Sequence, residues 1–143
     1  MPIQTPHLSV DGIVEIYNDN GDFKGIVFIE RKNSPLGIAL PGGFVDIGES
    51  VEDALKREMK EEISLEVEIK DMLGVYSNPK RDPRFHTVSV VFVCKTTGVP
   101  VADDDAKRVF VYKLSDAPLN ELVFDHKDII KDYVEYRHKH IDC

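Results

Sequence analysis

Gly43 to Leu65 reads GFVDIGESVEDALKREMKEEISL, a short glycine-led loop running into a helix. Ser50 can cap the helix with its hydroxyl while Asp53 reaches back toward the exposed amides, and no proline or glycine follows until Gly74. This predicts a helix from near Val51 to near Ile63. At about 100° per residue, Val51, Ala54 and Leu55 share one face, and Glu58, Glu61 and Glu62 continue that face two turns on. An apolar stripe therefore runs into three carboxylates.

On a solvated helix, acids lie opposite the apolar stripe and pair with bases four positions away. Here they extend the stripe. Like charges repel, and a carboxylate drawn toward a core is costly unless it is paired or bound to a cation. A hard divalent cation resolves that conflict. All-oxygen ligation with retained water suits Mg²⁺ or Mn²⁺ better than Zn²⁺, which favours His and Cys.

The 143 residues, 42% hydrophobic and without repeats, suit one domain spanning 1–143 with a real core. A formal charge of −8 argues against non-specific nucleic-acid binding, so the expected partner is a small molecule that a metal can bring to an acidic site. Cys94 sits in an apolar run and Cys143 ends the chain; one bridge is possible by count, but no framework of spacings supports it, and a reduced cytoplasmic setting is expected. The opening MPIQTPHLSV lacks a signal-peptide pattern, and no stretch approaches the roughly 20 apolar residues of a membrane span.

Val10–Tyr17 and Gly25–Glu30 read as strands joined by a turn-rich segment, a hairpin-like opening. Ala39-Leu40-Pro41-Gly42-Gly43 then leads into the helix; the paired glycines serve either a tight turn or a close approach of backbone to ligand. Val67–Tyr76 and Thr87–Lys95 belong in the central sheet, with a loop between them carrying Arg81 and Arg84. Those arginines either clamp phosphate or merely keep the loop solvated, and Tyr76 and Phe85 either stack a base or pack the core. Asp103-Asp104-Asp105 precede a strand at Val109–Lys113 and are either exposed or carried over the acidic helix. Asp125–Arg137 has helical spacing with Asp125 as a cap; His126 either touches a ligand or, as is commoner for a lone histidine in a first turn, sits at the surface, and His138 and His140 read as a frayed tail. Strands on both sides of one helix, closed by a second, give an α/β fold with a mixed sheet between helical layers.

The Gly43–Leu65 stretch resembles the Nudix box, G-x5-E-x7-R-E-U-x-E-E-x-G-U with U apolar, at Gly43, Glu49, Arg57, Glu58, Met59, Glu61, Glu62 and Leu65. Ser64 departs from it, standing where the family has a glycine. LPGGFVDIGE, GVYSNPKRDPRFHTVSVVFV, ADDDA and LVFDHKDIIKDY look like microbial ADP-ribose pyrophosphatases of that superfamily, although Asp103 replaces a common glycine. The resemblance implies an α/β/α sandwich and metal-dependent hydrolysis of a nucleoside diphosphate linked to another group. It implies Mg²⁺ at Glu58, Glu61, Glu62 and the Gly42 carbonyl, with Arg57 and Glu49 organising the acids. It also implies ADP-ribose as substrate, held by Arg81, Arg84, Tyr76 and Phe85. The general base is expected in the box, with the Asp103–Asp105 loop as the alternative. A nucleoside triphosphate pyrophosphatase would use the same box, a non-catalytic nucleotide-sugar sensor would bind without turnover, and assembly as a homodimer is left open.

Overall fold

The computed structural model describes residues 2–141, so Cys143 and any bridge to it lie outside the described residues. Seven strands and two helices follow the order β1 (His7–Tyr17), β2 (Phe23–Arg31), β3 (Ile38–Ala39), β4 (Gly42–Phe44), α1 (Val51–Ile63), β5 (Glu68–Tyr76), β6 (Thr87–Thr96), β7 (Ala106–Tyr112) and α2 (His126–Ile141). The main sheet runs β3-β2-β1-β6-β5, with β7 on the other edge of β2. Only β1 and β6 are parallel, so the sheet is mixed, as expected. Alternate residues of β1 face opposite layers. Val10, Val14 and Ile16 pack with Ala54, Leu55, Met59 and Ile63 of α1. Ile13 packs with Phe28, Ile129, Ile130 and Tyr133 on the α2 side. The result is an α/β/α sandwich. Among the described residues, no helix is long and apolar enough to cross a membrane.

One edge of β1 changes partners along its length. Near its end Glu15 and Ile16 oppose Ile26 and Gly25 of β2, whereas Ser9, Val10 and Asp11 oppose Phe44, Gly43 and Gly42 of β4. The sequence reading, which weighed a tight turn against a close approach of backbone to ligand, assigned no strand here; β4 inserts there, and β1 and β2 part around a cleft. Gly42 is sterically required, since a side-chain carbon there would overlap the Val10 carbonyl and the Asp11 backbone; one at Gly43 would displace the Glu58 carboxylate.

Helix α1 begins and ends where its sequence indicates. Ser50 Oγ accepts from the Asp53 amide at 3.1 Å. At the other end Ser64 adopts the left-handed conformation, φ 59°, and the Leu65 amide donates to the Met59 carbonyl at 3.3 Å. Serine thus does the work of the family glycine, at a cost of about 1 kcal/mol. The carbonyls of Ile63 and Glu62 accept from the amides of Val101 and Asp103, each at 2.9 Å, which brings the aspartate-rich segment onto the end of α1.

Helix α2 runs past the expected Arg137. His140 stacks on Tyr136 at 4.2 Å and its Nδ1 lies 2.8 Å from the Tyr136 carbonyl, so the segment read as a frayed tail is the final turn of the helix. Basic side chains there suit the negative end of the helix dipole.

Candidate active site

The cleft between the parted strands holds a cavity of about 230 Å³. Acids from five separate segments line it: Glu58 and Glu62 from α1, Asp11 from β1, Asp46 from the loop before α1, Asp82 from the loop before β6, and Asp105 from the turn before β7. Glu62 is 5% exposed, and its Oε1 accepts from the Gly42 amide at 2.9 Å. Burial, reinforced by the neighbouring carboxylates of Glu58, Asp11 and Asp105, pushes its pKa up to about 8 against the lowering effect of that amide. Burial also raises Glu58, although Arg57 opposes the shift.

Arg57 is the organising cation foreseen from the sequence. Its Nε and Nη2 donate to both carboxylate oxygens of Glu49, at 2.7 and 2.9 Å, and Nη1 donates to Glu58 at 2.9 Å and Glu61 at 3.1 Å. Nη2 also reaches the Phe44 carbonyl at 3.0 Å, tying α1 to the loop before it. Hydrogen bonds from Arg57 and then from the Asp46 amide hold the Glu49 carboxyl down at about 2. Glu61, with its side chain 47% exposed, turns toward Arg57 and does not line the cavity. The helix therefore fans its three acids: Glu62 inward, Glu58 at the boundary, Glu61 outward.

The acids are spread along the cavity wall, and among the described residues no three His, Cys, Asp or Glu side chains gather into a ready-made metal cluster. Their chemistry nonetheless fits a hard divalent cation. The donors are carboxylate oxygens, two of them are strained by burial and mutual repulsion, and the glycine floor lets backbone approach the same space. The recorded contact of Gly42 is its amide, given to Glu62.

Three guanidiniums, those of Arg31, Arg81 and Arg84, also line the cavity. Arg81, expected to clamp phosphate, is buried and bonded internally at all three nitrogens: Nε and Nη2 donate to Asp125 at 2.9 and 2.7 Å, and Nη1 to Thr87 Oγ1 at 2.8 Å. It braces the loop against the start of α2. The Asp125 carboxylate is thereby committed to Arg81, and the first turn of α2 bonds to the Asp125 carbonyl instead. Arg84 donates from Nε and Nη2 to Asp82, at 3.0 and 2.8 Å, amid the rings of Phe44, Phe85 and Phe124.

Of the two aromatics expected on the substrate, Phe85 does not line the cavity but stacks beside residues that do: it is 5.9 Å from the ring of Phe44 and has the Arg84 guanidinium 5.1 Å from its centroid, with the His7 ring 4.3 Å away. Tyr76 requires a correction. Its ring packs into the α2-side core and its hydroxyl donates to Asp132 at 2.7 Å, away from the cavity.

His126 is likewise not a surface residue: it is 2% exposed and lines the cavity. Its Nδ1 accepts from the Leu40 amide at 2.9 Å, which fixes the tautomer with the proton on Nε2, 3.8 Å from Asp11. Burial lowers its pKa, so the ring is held neutral. Asp11, Arg31, Asp46, Asp82 and Phe124 are cavity residues that sequence reasoning did not single out, and His126 was set aside as a surface residue.

With this geometry in hand, comparison with known proteins is informative. The chain is 47% identical over 135 residues to the ADP-ribose pyrophosphatase of Methanocaldococcus jannaschii, covering 92% of this chain and 75% of that protein. It is 40% identical over 78 residues to a putative 8-oxo-dGTP diphosphatase of Bacillus subtilis, about half of each chain. A MutT/nudix family protein from Enterococcus faecalis superposes with a TM-score of 0.82 at 30% identity, over 97% of this chain and 64% of that one. The NUDIX domain of Shewanella oneidensis NrtR, solved with ADP-ribose, superposes with a TM-score of 0.78 at 26% identity, over 94% and 90%. The sequence profile of the NUDIX domain matches residues 6–133, and the chain belongs to the Nudix family of pyrophosphohydrolases.

Proposed function

We propose that this Nudix hydrolase cleaves ADP-ribose to AMP and ribose 5-phosphate with Mg²⁺ or Mn²⁺. The observation that carries the reading is one cleft lined with both carboxylates and guanidiniums, a match for a metal-bound diphosphate. The ADP-ribose pyrophosphatase relative and the ADP-ribose complex of a structural neighbour support the substrate.

Glu58, Glu62 and the Gly42 carbonyl would hold the ion, joined by Glu61 once it turns in from Arg57, and the ion would supply charge neutralisation of the diphosphate and a more acidic water. Arg57 keeps Glu58 and Glu61 within reach of one another despite their repulsion. In the reaction the water oxygen forms a bond to one phosphorus as the bridging P–O bond breaks, and a carboxylate takes the water's proton. We assign that base to the helix, at Glu58 or Glu62. Asp105 is the alternative on the loop, because it lines the same cavity and Asp103 and Asp104 do not.

The test is kcat/KM for ADP-ribose, other nucleoside diphosphate sugars and nucleoside triphosphates, first with Mg²⁺ and then with Mn²⁺. ADP-ribose should lead. The Bacillus relative motivates the competing reading, and a clear preference for a triphosphate would replace the substrate while keeping the hydrolase. Turnover of none of them would remove the hydrolase reading itself.

A further inference from the structure

Phe124 occupies the left-handed region, φ 58°, a conformation that bulky L residues avoid and glycine accepts. The backbone on either side imposes it. The Val123 amide donates to the Ile38 carbonyl at 2.9 Å, Leu122 bridges Ile38, and the His126 amide donates back to the Val123 carbonyl at 3.3 Å where α2 starts. A phenylalanine at such a turn points to a use for the ring itself.

That ring lines the cavity with the Arg31 guanidinium 5.1 Å from its centroid and the Arg84 guanidinium 5.5 Å from it. An aromatic face attracts a guanidinium without using its N–H donors. The three cavity arginines differ in this respect. Arg81 gives donors on all three nitrogens to Asp125 and Thr87, and Arg84 gives two to Asp82. Arg31 donates only from Nε, to the Pro35 carbonyl at 2.8 Å, and its two terminal nitrogens have no hydrogen bond among the described residues. Burial and the proximity of Arg84 weaken its hold on its proton, against the opposing pull of Glu62, Asp82 and Asp105, and an anion beside the Arg31 guanidinium would offset what remains.

We infer that Arg31, positioned on the ring of Phe124, binds the phosphate oxygens of the substrate, and that Arg81 is a brace with no ligand contact. This rests on reading the cleft as a diphosphate site, and it names the residue that grips the anion.

The experiment is calorimetric titration of inorganic pyrophosphate with Mg²⁺ into the wild type and into Arg31→Gln, Arg31→Lys, Phe124→Leu, Phe124→Tyr and Arg81→Gln, with thermal unfolding of each. Arg31→Gln should weaken pyrophosphate by about tenfold or more, with Arg31→Lys recovering part of the loss. Phe124→Leu should weaken it severalfold, and raise KM for the best substrate more than it lowers kcat, while Phe124→Tyr behaves as wild type. Arg81→Gln should lower Tm and leave the affinity of the folded protein within about twofold. Binding to Arg31→Gln within twofold of wild type, no binding to wild type, or loss of affinity on Arg81→Gln at unchanged Tm would each overturn the assignment. Because pyrophosphate binding requires no turnover, failure of ADP-ribose as a substrate leaves this result standing.

Discussion

Glu15 and Glu62 are both buried carboxylates, and the protein treats them in opposite ways. Glu15 is fully buried on β1 and accepts from Lys70 Nζ at 2.8 Å, Arg137 Nη1 at 2.9 Å and the hydroxyls of Tyr17 and Tyr133 at 3.1 and 2.5 Å. Glu62, nearly as buried, has one backbone amide and carboxylate neighbours. The first acid is complete and joins β1, β5 and α2. The second has no cationic hydrogen-bond partner, and the proposed function gives it a divalent ion. Burial alone does not mark a functional acid; burial without sufficient partners does.

The sharpest way to break this contrast is Glu15→Ala. It would leave Lys70 and Arg137 without their buried partner, and should cost about 3–5 kcal/mol of stability, or roughly 10 °C in Tm. Turnover per folded molecule at low temperature should stay within about twofold. A large loss of turnover in fully folded protein would make Glu15 more than a structural acid.

Glu62→Gln should do the reverse: turnover falls on the order of 10²-fold while the metal-free protein loses no stability. The sign follows from the raised pKa. Protonated Glu62 is tolerated in the fold, so its burial is harmless at pH 4 and becomes increasingly destabilising as pH rises from about 4.5 through about 8. With a chelator present, the Tm of Glu62→Gln minus that of wild type should therefore grow across that window. A difference that stays flat with pH would show that the carboxyl never resists ionisation.

Arg57→Ala probes the boundary between the two kinds of acid, because Arg57 satisfies Glu49 while restraining Glu58 and Glu61. It should cost about 1–2 kcal/mol and weaken metal binding. Combined with glutamine at positions 58, 61 and 62, much of that loss should disappear, since the repulsion is gone; a double-mutant cycle on chemical unfolding measures the coupling. Strict additivity would count against it.

What could be read beforehand were features set by near neighbours in sequence. The limits of α1, its Ser50 cap and the reach of Arg57 to Glu49 and Glu61 all depend on residues within two or three turns. Asp11 and Glu15 were lost because VDGIVEIY alternates like a half-exposed strand, whereas α2 covers the second face and buries both acids. Arg81 was misjudged because its partner Asp125 lies 44 positions away, and Tyr76 because its hydroxyl is claimed by Asp132 across the fold. His126 looked exposed at a helix start, yet the amide that fixes it belongs to Leu40, 86 positions earlier. Phe124 and Arg31 carry no local signal, since their pairing depends on β3 docking under the segment before α2.

The parallel pairing of β1 with β6 also sets a schedule for the growing chain. Ser89 donates its hydroxyl to Asp11 across 78 positions, and both residues lie within that ladder. At roughly 5–20 residues per second, the ribosome would take about 4–16 s to add the partner that completes the centre of the sheet. Until then β1 can find β2 and β4, but one of its edges stays open and Asp11 stays in water. Helix α1 is thus synthesised well before the strand that closes the sheet behind Asp11, and the cavity-bearing cleft is a late product of folding on the ribosome.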